Sequence, residues 1–359
     1  MSKQFLPLLF LLFGGFSSLN GQFCLPQDIT FSTQAEIDQF AQNYPDCKQI
    51  MGIVTISGPD ITNLNGLSGI TSFGKGLYIQ YNPVLESLEG LNQVHTIGAG
   101  GVIGSLYVTN NPLLTDFRGL DNLSYILDRL DISENEGLDS LHGLDKLQTV
   151  GSTFYLQNNG HFKDLRGLES LETVGDDLYI EFCDSLRSLA GLEKLKRVGR
   201  SLYIQFNPVL HDIFSILPEF EVGDYWVFSL NDSLNQCAIE ALCRVVKESP
   251  EKILQCANGL DCTGVADLEI QCGLVSEKTP VRPMEQRLLS PNPADAEAYV
   301  QIPVAEGWLM LFDQLGVVQK RMQLQGTRRM DLTGLSAGVY MVYWEGLDGQ
   351  RRVDRLVRN

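Results

Sequence analysis

Positive charge is scarce in this sequence. Lys and Arg number 27 against 44 Asp and Glu, a formal net charge of −17 over 359 residues. A surface that grips phosphate backbones needs clustered Lys and Arg, so the balance argues against a nucleic-acid partner. The deficit is uneven: residues 22–275 carry a net −19 and residues 276–359 a net +1. Histidine is scarcer still, with four copies at His95, His142, His161 and His211. None is spaced with Cys or Asp as a zinc ligand would be. There is no G-x-S-x-G elbow. No metal site, cofactor or catalytic residue is therefore expected. Long apolar runs are missing too. Phe5 to Phe16 spans 12 residues, too short to cross a bilayer. It follows Lys3 and precedes Ser17, Ser18, Asn20 and Gly21, the pattern of a secretory signal peptide over residues 1–21. No transmembrane span is expected. An oxidising destination follows, and the cysteines read first as disulfide candidates.

Repetition is abundant. Leu77-Tyr78-Ile79 recurs as Leu106-Tyr107-Val108, Leu130-Asp131-Ile132, Phe154-Tyr155-Leu156, Leu178-Tyr179-Ile180 and Leu202-Tyr203-Ile204, at spacings of 29, 24, 24, 24 and 24. One step back of the same size reaches Ile53-Val54-Thr55, and one step forward reaches Trp226-Val227-Phe228. A second anchor keeps the beat at Leu64, Leu88, Phe117, Leu141, Leu165 and Leu189. The long step holds five extra residues within the Gly-rich run Gly98 to Gly104. A fixed period of this length means stacked turns, because one turn cannot bury its own apolar face.

Each turn reads roughly L-Y-I-x-x-N-P-x-L-x-x-L-x-G-L-x-x-L-x-x-V-G. Alternation along a strand sends Leu77 and Ile79 inward, and Tyr78 and Gln80 outward. The Asn that follows (Asn82, Asn111, Asn135, Asn159, Asn207, Asn231) suits a buried amide that binds backbone groups of neighbouring turns. Eight or nine strands at about 4.8 Å give a rod roughly 40 Å long.

The pattern resembles the leucine-rich repeat superfamily, and within it the receptor L-domain type known from growth-factor receptors and bacterial surface proteins. The resemblance covers about residues 24–273. It implies a mainly β, right-handed parallel solenoid with capping helices, the turns spanning 53–235. An N-terminal cap is expected over 22–52. There Thr33 and Glu36 form a capping box, and Ile37, Phe40, Ala41 and Tyr44 share an apolar face that Pro45 ends. Cys24 and Cys47 bracket that helix and are expected to bond. A Cys-rich cap is expected over 236–273, with a helix striped by Ile239, Leu242, Cys243 and Val246. Its Cys237, Cys243, Cys262 and Cys272 allow three pairings. Cys183 holds an Asn position and Cys256 falls near one. The family accepts Cys there, so both read as buried free thiols.

After Gly273 the beat stops. Residues 274–287 are polar with two prolines and suit a linker. Short alternating segments follow at 298–302, 308–312, 339–343 and 352–356, the marks of a small β-sandwich. Pro291-Asn292-Pro293, then Asp313 and Gly316, then Gly334, Leu335, Gly338 and Tyr340 stand in an order that is similar to the type A C-terminal sorting domain of the type IX secretion system. That resemblance spans 288–359. It implies an Ig-like fold, recognition by the outer-membrane secretion machinery, and a mature protein that is released or held on the outer-membrane surface.

Two outward columns stand out as a candidate ligand face. One is Tyr78, Tyr107, Tyr155, Tyr179 and Tyr203; the other includes Gln80, Gln157, Glu181 and Gln205. Aromatic rings beside amides suit glycan or protein recognition. The expected role is non-enzymatic adhesion or ligand binding outside the cell. Right-handed solenoids also host polysaccharide-active enzymes, for which Asp131 and Glu181 would be the carboxylates, about 10 Å apart. A passive structural surface protein is the third reading.

Overall fold

The computed structural model describes residues 23–99, 104–159, 161–256, 258–259, 262, 264–274, 289–290, 294, 297–300, 306–312, 318–325, 328–346 and 351–358. The expected signal segment 1–21, residues 275–287 of the expected linker, Pro291 to Pro293, Asp313 and Gly316 lie outside them.

The 24-residue beat becomes a stack of turns, each giving one strand to each of two parallel sheets. The first has ten strands, from Ile29–Phe31 through Gly76–Gln80, Leu130–Ser133 and Leu202–Gln205 to Ile253–Cys256. The second has nine strands of two residues, from Phe23–Cys24 to Glu221–Val222. Register is unbroken: Leu77 pairs with Leu106, Leu106 with Leu130, Leu130 with Phe154, Phe154 with Leu178 and Leu178 with Leu202. Gly76 pairs with Ser105 across the long step, so the insertion leaves the pairing intact. The ten-stranded sheet runs past residues 53–235 at both ends, because Ile29–Phe31 and Ile253–Cys256 add a rung from each cap.

The consensus leucines line one continuous core with essentially no exposure, from Leu64, Leu67 and Ile70 in one turn to Leu189 and Leu192 in a later one. Burial of this kind stabilises by about 25 cal/mol per Å² of apolar surface. The glycine of the L-x-G-L unit has a steric cause. At Gly143 φ is +105°, and an added Cβ would lie 2.0 Å from the Phe117 carbonyl oxygen one turn back.

The asparagines are completely buried. Asn135 Nδ2 donates to the Val108 carbonyl at 2.8 Å, and Asn159 Nδ2 to the Ile132 carbonyl at 2.8 Å. Their side-chain oxygens accept from the previous turn: Asn111 N–H reaches Asn135 Oδ1 at 3.1 Å, and Asn135 N–H reaches Asn159 Oδ1 at 3.1 Å. Cys183 takes this place in one turn. Its Sγ lies 3.3 Å from the Glu181 carbonyl and 3.7 Å from that of Leu156, and burial pushes the thiol up to about 12. Cys256 does not hold the corresponding place. It pairs with Ser229, and Asn258 binds Asn231 N–H and the Phe228 carbonyl instead. The last step is 27 residues rather than 24, so counting by the period lands short.

Both caps close with disulfides. Helix α1 (Gln34–Asn43) starts with the Thr33–Glu36 capping box. It buries Ile37 and Phe40, while Ala41 and Tyr44 are exposed, so the apolar face is narrower than expected. Tyr44 packs against the Phe40 ring. Cys24 bonds Cys47. At the far end α2 (Glu240–Glu248) and α3 (Val265–Gln271) cover the last turn, with Cys237 bonded to Cys262 and Cys243 to Cys272. Of the three pairings open to these cysteines, this one ties α2 to the end of α3.

The C-terminal unit has two antiparallel sheets. One holds Leu289–Ser290, Glu297–Val300 and Arg328–Asp331; the other holds Val318–Gln325, Glu306–Phe312, Gly338–Gly346 and Arg351–Arg358. Ala298, Val300 and Met330 from the first meet Leu309, Leu311, Val342, Trp344 and Leu356 from the second in a separate core. Leu335 packs against that core. Gly334 and Gly338 have φ of +90° and +158° in the turn before the long strand. Tyr340 is buried, and its hydroxyl donates to the Ser336 carbonyl at 2.8 Å.

Three substitutions probe the packing of the turns. Gly143→Ala should cost about 3 kcal/mol or more in chemical unfolding, from strain at positive φ plus the overlap with Phe117. Gly69→Ala, where an added Cβ would meet the flexible end of Lys48 at 3.4 Å and the Cys47 carbonyl oxygen at 3.9 Å, should be nearly neutral. Cys183→Asn should raise stability by about 1 kcal/mol, read as a higher melting temperature, because an amide replaces a weak sulfur partner in the buried column.

Candidate functional site

The outward residues of the ten-stranded sheet form two adjacent columns, because in-register parallel pairing stacks equivalent side chains. Tyr107 pairs with Tyr78 and with Asp131, Asp131 with Tyr155, Tyr155 with Tyr179, and Tyr179 with Tyr203. The polar column is Gln80, Thr109, Ser133, Gln157, Glu181, Gln205 and Ser229 in the same order. All the candidate ligand-face residues are thus brought onto one surface.

The tyrosines use their ring faces on one another. Tyr155 and Tyr179 stack with centroids 4.6 Å apart, Tyr179 and Tyr203 at 4.3 Å, both nearly parallel. Tyr78 and Tyr107 meet edge to face at 4.7 Å. Each such pair contributes about 0.5–1.5 kcal/mol beyond area burial. Ring edges and hydroxyls are what this column leaves for a partner. Burial raises the phenol pKa of Tyr78, Tyr155, Tyr179 and Tyr203, so the hydroxyls stay neutral donors.

Asp131 breaks the tyrosine series, and Arg129 fills the break. Its guanidinium carbon lies 3.9 Å from the Tyr155 ring centre and 5.5 Å from that of Tyr107. Arg129 Nη2 also pairs with Asp131 Oδ2 at 3.3 Å, and the Ser133 hydroxyl donates to Asp131 Oδ1. The π-column therefore continues through a cation. Reading by the period missed Arg129, because it lies just before the repeated tripeptide. The only signal for it was an acid at a tyrosine position with an arginine two residues earlier.

Glu181 is buried in the polar column, 4% exposed, and its Oε2 accepts from Gln157 Nε2 at 2.7 Å. Gln205 Nε2 donates in turn to the Ser229 hydroxyl. Burial pushes the Glu181 carboxyl up to about 8, with the Gln157 bond opposing the shift. Near neutral pH it is a neutral acid that stands in for the glutamine of other turns. Burial also raises the Asp131 pKa, against the Ser133 bond and Arg129.

Beyond the columns, the seven turns that follow the strands from Gly76–Gln80 to Trp226–Ser229 each bend through a residue of left-handed conformation. Tyr81, Asn110, Glu134 and Asn158 have φ between 53° and 59°. With Pro83, Pro112 and Glu136 they line a shallow groove beside the sheet, and Tyr81 is 62% exposed. These variable positions carry no repeat signal, so the sequence alone does not single them out. Among the described residues no cluster of His, Cys, Asp and Glu could hold a metal ion, and no helix is long and apolar enough to cross a membrane.

Compared with known proteins, the chain matches no family model, and no curated protein sequence aligns with it significantly.

The buried acid gives a pH dependence of known sign. In the unfolded chain Glu181 ionises near its ordinary value of 4.5, whereas in the fold it stays protonated to about 8. Folded stability should therefore fall as pH rises through that window, at up to about 1.4 kcal/mol per pH unit from this group. Glu181→Gln should be more stable than wild type at pH 8 and level with it near pH 4, measured by urea unfolding across the range.

Proposed function

We propose that this protein acts outside the cell as a non-enzymatic ligand-binding or adhesion module. The observation that carries the reading is the outward double column: aromatic, hydroxyl and amide side chains held at strand spacing on an unbroken ten-stranded sheet. A rigid repeat of this kind presents aromatic and polar side chains at a regular strand spacing, which suits an extended glycan or a protein surface with periodic acceptors. Ligands that stack on free ring faces are disfavoured within Tyr155 to Tyr203, where the rings already stack. Ligands that hydrogen-bond to phenol hydroxyls fit. The polar groove beside Tyr81 extends the same surface.

The finer assignment follows the resemblances. The two-sheet stack is that of a right-handed, L-domain-like leucine-rich solenoid, and the C-terminal unit is an Ig-like sorting module of the type IX secretion system. The first residues are a secretory signal, and the protein ends released or attached at the outer-membrane surface. The secretion machinery is the partner of the C-terminal unit; the ladder serves a separate protein or glycan ligand. The three disulfide-bonded pairs among the described residues suit an oxidising compartment.

Burial and pairing weigh against hydrolytic catalysis at Asp131 and Glu181. Asp131 is neutralised by Arg129, and Glu181 is buried, protonated and bonded to Gln157. A pair of carboxylates reaching a scissile bond from solvent is not formed there.

Probing a glycan and protein array with the folded protein tests the reading. Tyr155→Ala/Tyr179→Ala should abolish the array signal while far-ultraviolet circular dichroism is retained. Tyr155→Phe/Tyr179→Phe keeps the stack and removes two hydroxyls, and should weaken binding at least tenfold. Full binding by both variants would remove this face from consideration.

A further inference from the structure

The outward ladder is open over part of its length and closed over the rest. Gln80, Thr109 and Ser133 are half-buried, whereas Gln157, Glu181, Gln205 and Ser229 are buried. In the neighbouring column the tyrosines are half-buried, but Val227, on the rung after Tyr203, is buried. Two contacts show what lies over the last rungs. Gln205 Nε2 donates to Met341 Sδ at 3.5 Å, and the Ser229 hydroxyl reaches the same sulfur at 3.7 Å.

Met341 belongs to the strand Gly338–Gly346 of the C-terminal unit. Its neighbours Tyr340 and Val342 point into that unit's own core, so Met341 stands on the opposite, outer face. Register extends that face sideways. Val339 pairs with Val357, and Met310 lies opposite Tyr343, two residues along from Met341. Val339, Met341, Met310 and Val357 are half-buried and share the outer side. The outer face of this sheet is thus largely apolar where it meets the ladder, with Phe312 and Arg355 at the register positions directly beside Met341. The adjacent strand Arg351–Arg358 approaches Ile253–Cys256, the last rung of the stack. That strand carries four arginines and one aspartate, and residues 22–275 are strongly acidic, so its local charge favours the approach.

We propose that the C-terminal unit is a removable cover on the recognition face. Its outer sheet surface, centred on Met341, seats on Gln205 and Ser229 and withholds the last rungs from an outside ligand. Two features make the contact reversible. A thioether is a weak acceptor, so little hydrogen-bond energy holds the seat. The covered polar groups are already satisfied within the ladder, Gln157 by Glu181 and Gln205 by Ser229, so lifting the cover orphans none of them. The open rungs from Tyr78 to Ser133 remain available throughout. The functional meaning rests on the ladder being the ligand face, but the docking is testable with no ligand present.

The test uses the full chain with paired cysteines. Ser229→Cys/Met341→Cys should form an intrachain disulfide in most molecules under mild oxidation, counted by mass after denaturing alkylation. Thr109→Cys/Met341→Cys should stay reduced. A 229/341 pair that stays reduced, or links no better than the 109/341 pair, overturns the cover. As a second measure, the thiol of Ser229→Cys should react with an aromatic disulfide reagent at least tenfold faster when Met341→Asp is added; an unchanged rate also overturns it. A chain that cross-links as expected yet gives no array signal would retain the cover and lose the ligand reading, so the two failures are distinct.

Discussion

The buried asparagine column is the constraint on which everything else rests. A chain that coils through its own core must bend inside it, and each bend brings backbone N–H and C=O groups where water cannot reach them. One asparagine per turn meets both needs: its amide nitrogen serves the carbonyl of the turn before, and its oxygen serves that turn's backbone N–H. An asparagine placed one residue away would leave both groups unpaired. The turn length is therefore tied to the register, and consecutive turns cannot slip past one another.

The surface inherits that registration. Because the inner leucines and asparagines hold each turn in step, the outward residues of successive strands lie across from one another without further specification. Tyrosine then stacks on tyrosine, and an amide donates to the carboxyl or hydroxyl of the next rung. This also explains how the columns tolerate exceptions. An aspartate at a tyrosine position is matched by Arg129, which restores a stacked neighbour and neutralises the charge. A glutamate at a glutamine position is kept protonated by burial and bonds as glutamine would. A cysteine at an asparagine position keeps contacts to the same two carbonyls through sulfur.

Much of this was legible because it is periodic. The strands, the inward and outward faces, the asparagine column, the capping box at Thr33 and the Cys24–Cys47 pair all follow from local pattern and spacing. What was not legible breaks the period or lacks hydrophobic contrast. Asn258 sits 27 residues after Asn231, so the beat pointed near Cys256 instead. Val318–Gln325 and Arg328–Asp331 are mostly polar and charged, with Leu324 and Met330 alone buried in the core among the described residues, and their partners in the C-terminal sheets define them. Ala41 and Tyr44 continue the apolar stripe of α1 in sequence, yet the core below the helix is wide enough only for Ile37 and Phe40.

Periodicity alone set the repeat, its register and the identity of the outward columns, because a fixed spacing converts directly into stacked positions when each turn must bury its apolar side against the next. The tertiary structure alone decided how those columns are spent. Ring faces are used up in stacking, an acid becomes neutral through burial, one of three cysteine pairings is chosen, and the last rungs meet Met341. Each of these depends on the distance between side chains remote in the chain, and on how much water remains between them, which no linear pattern encodes.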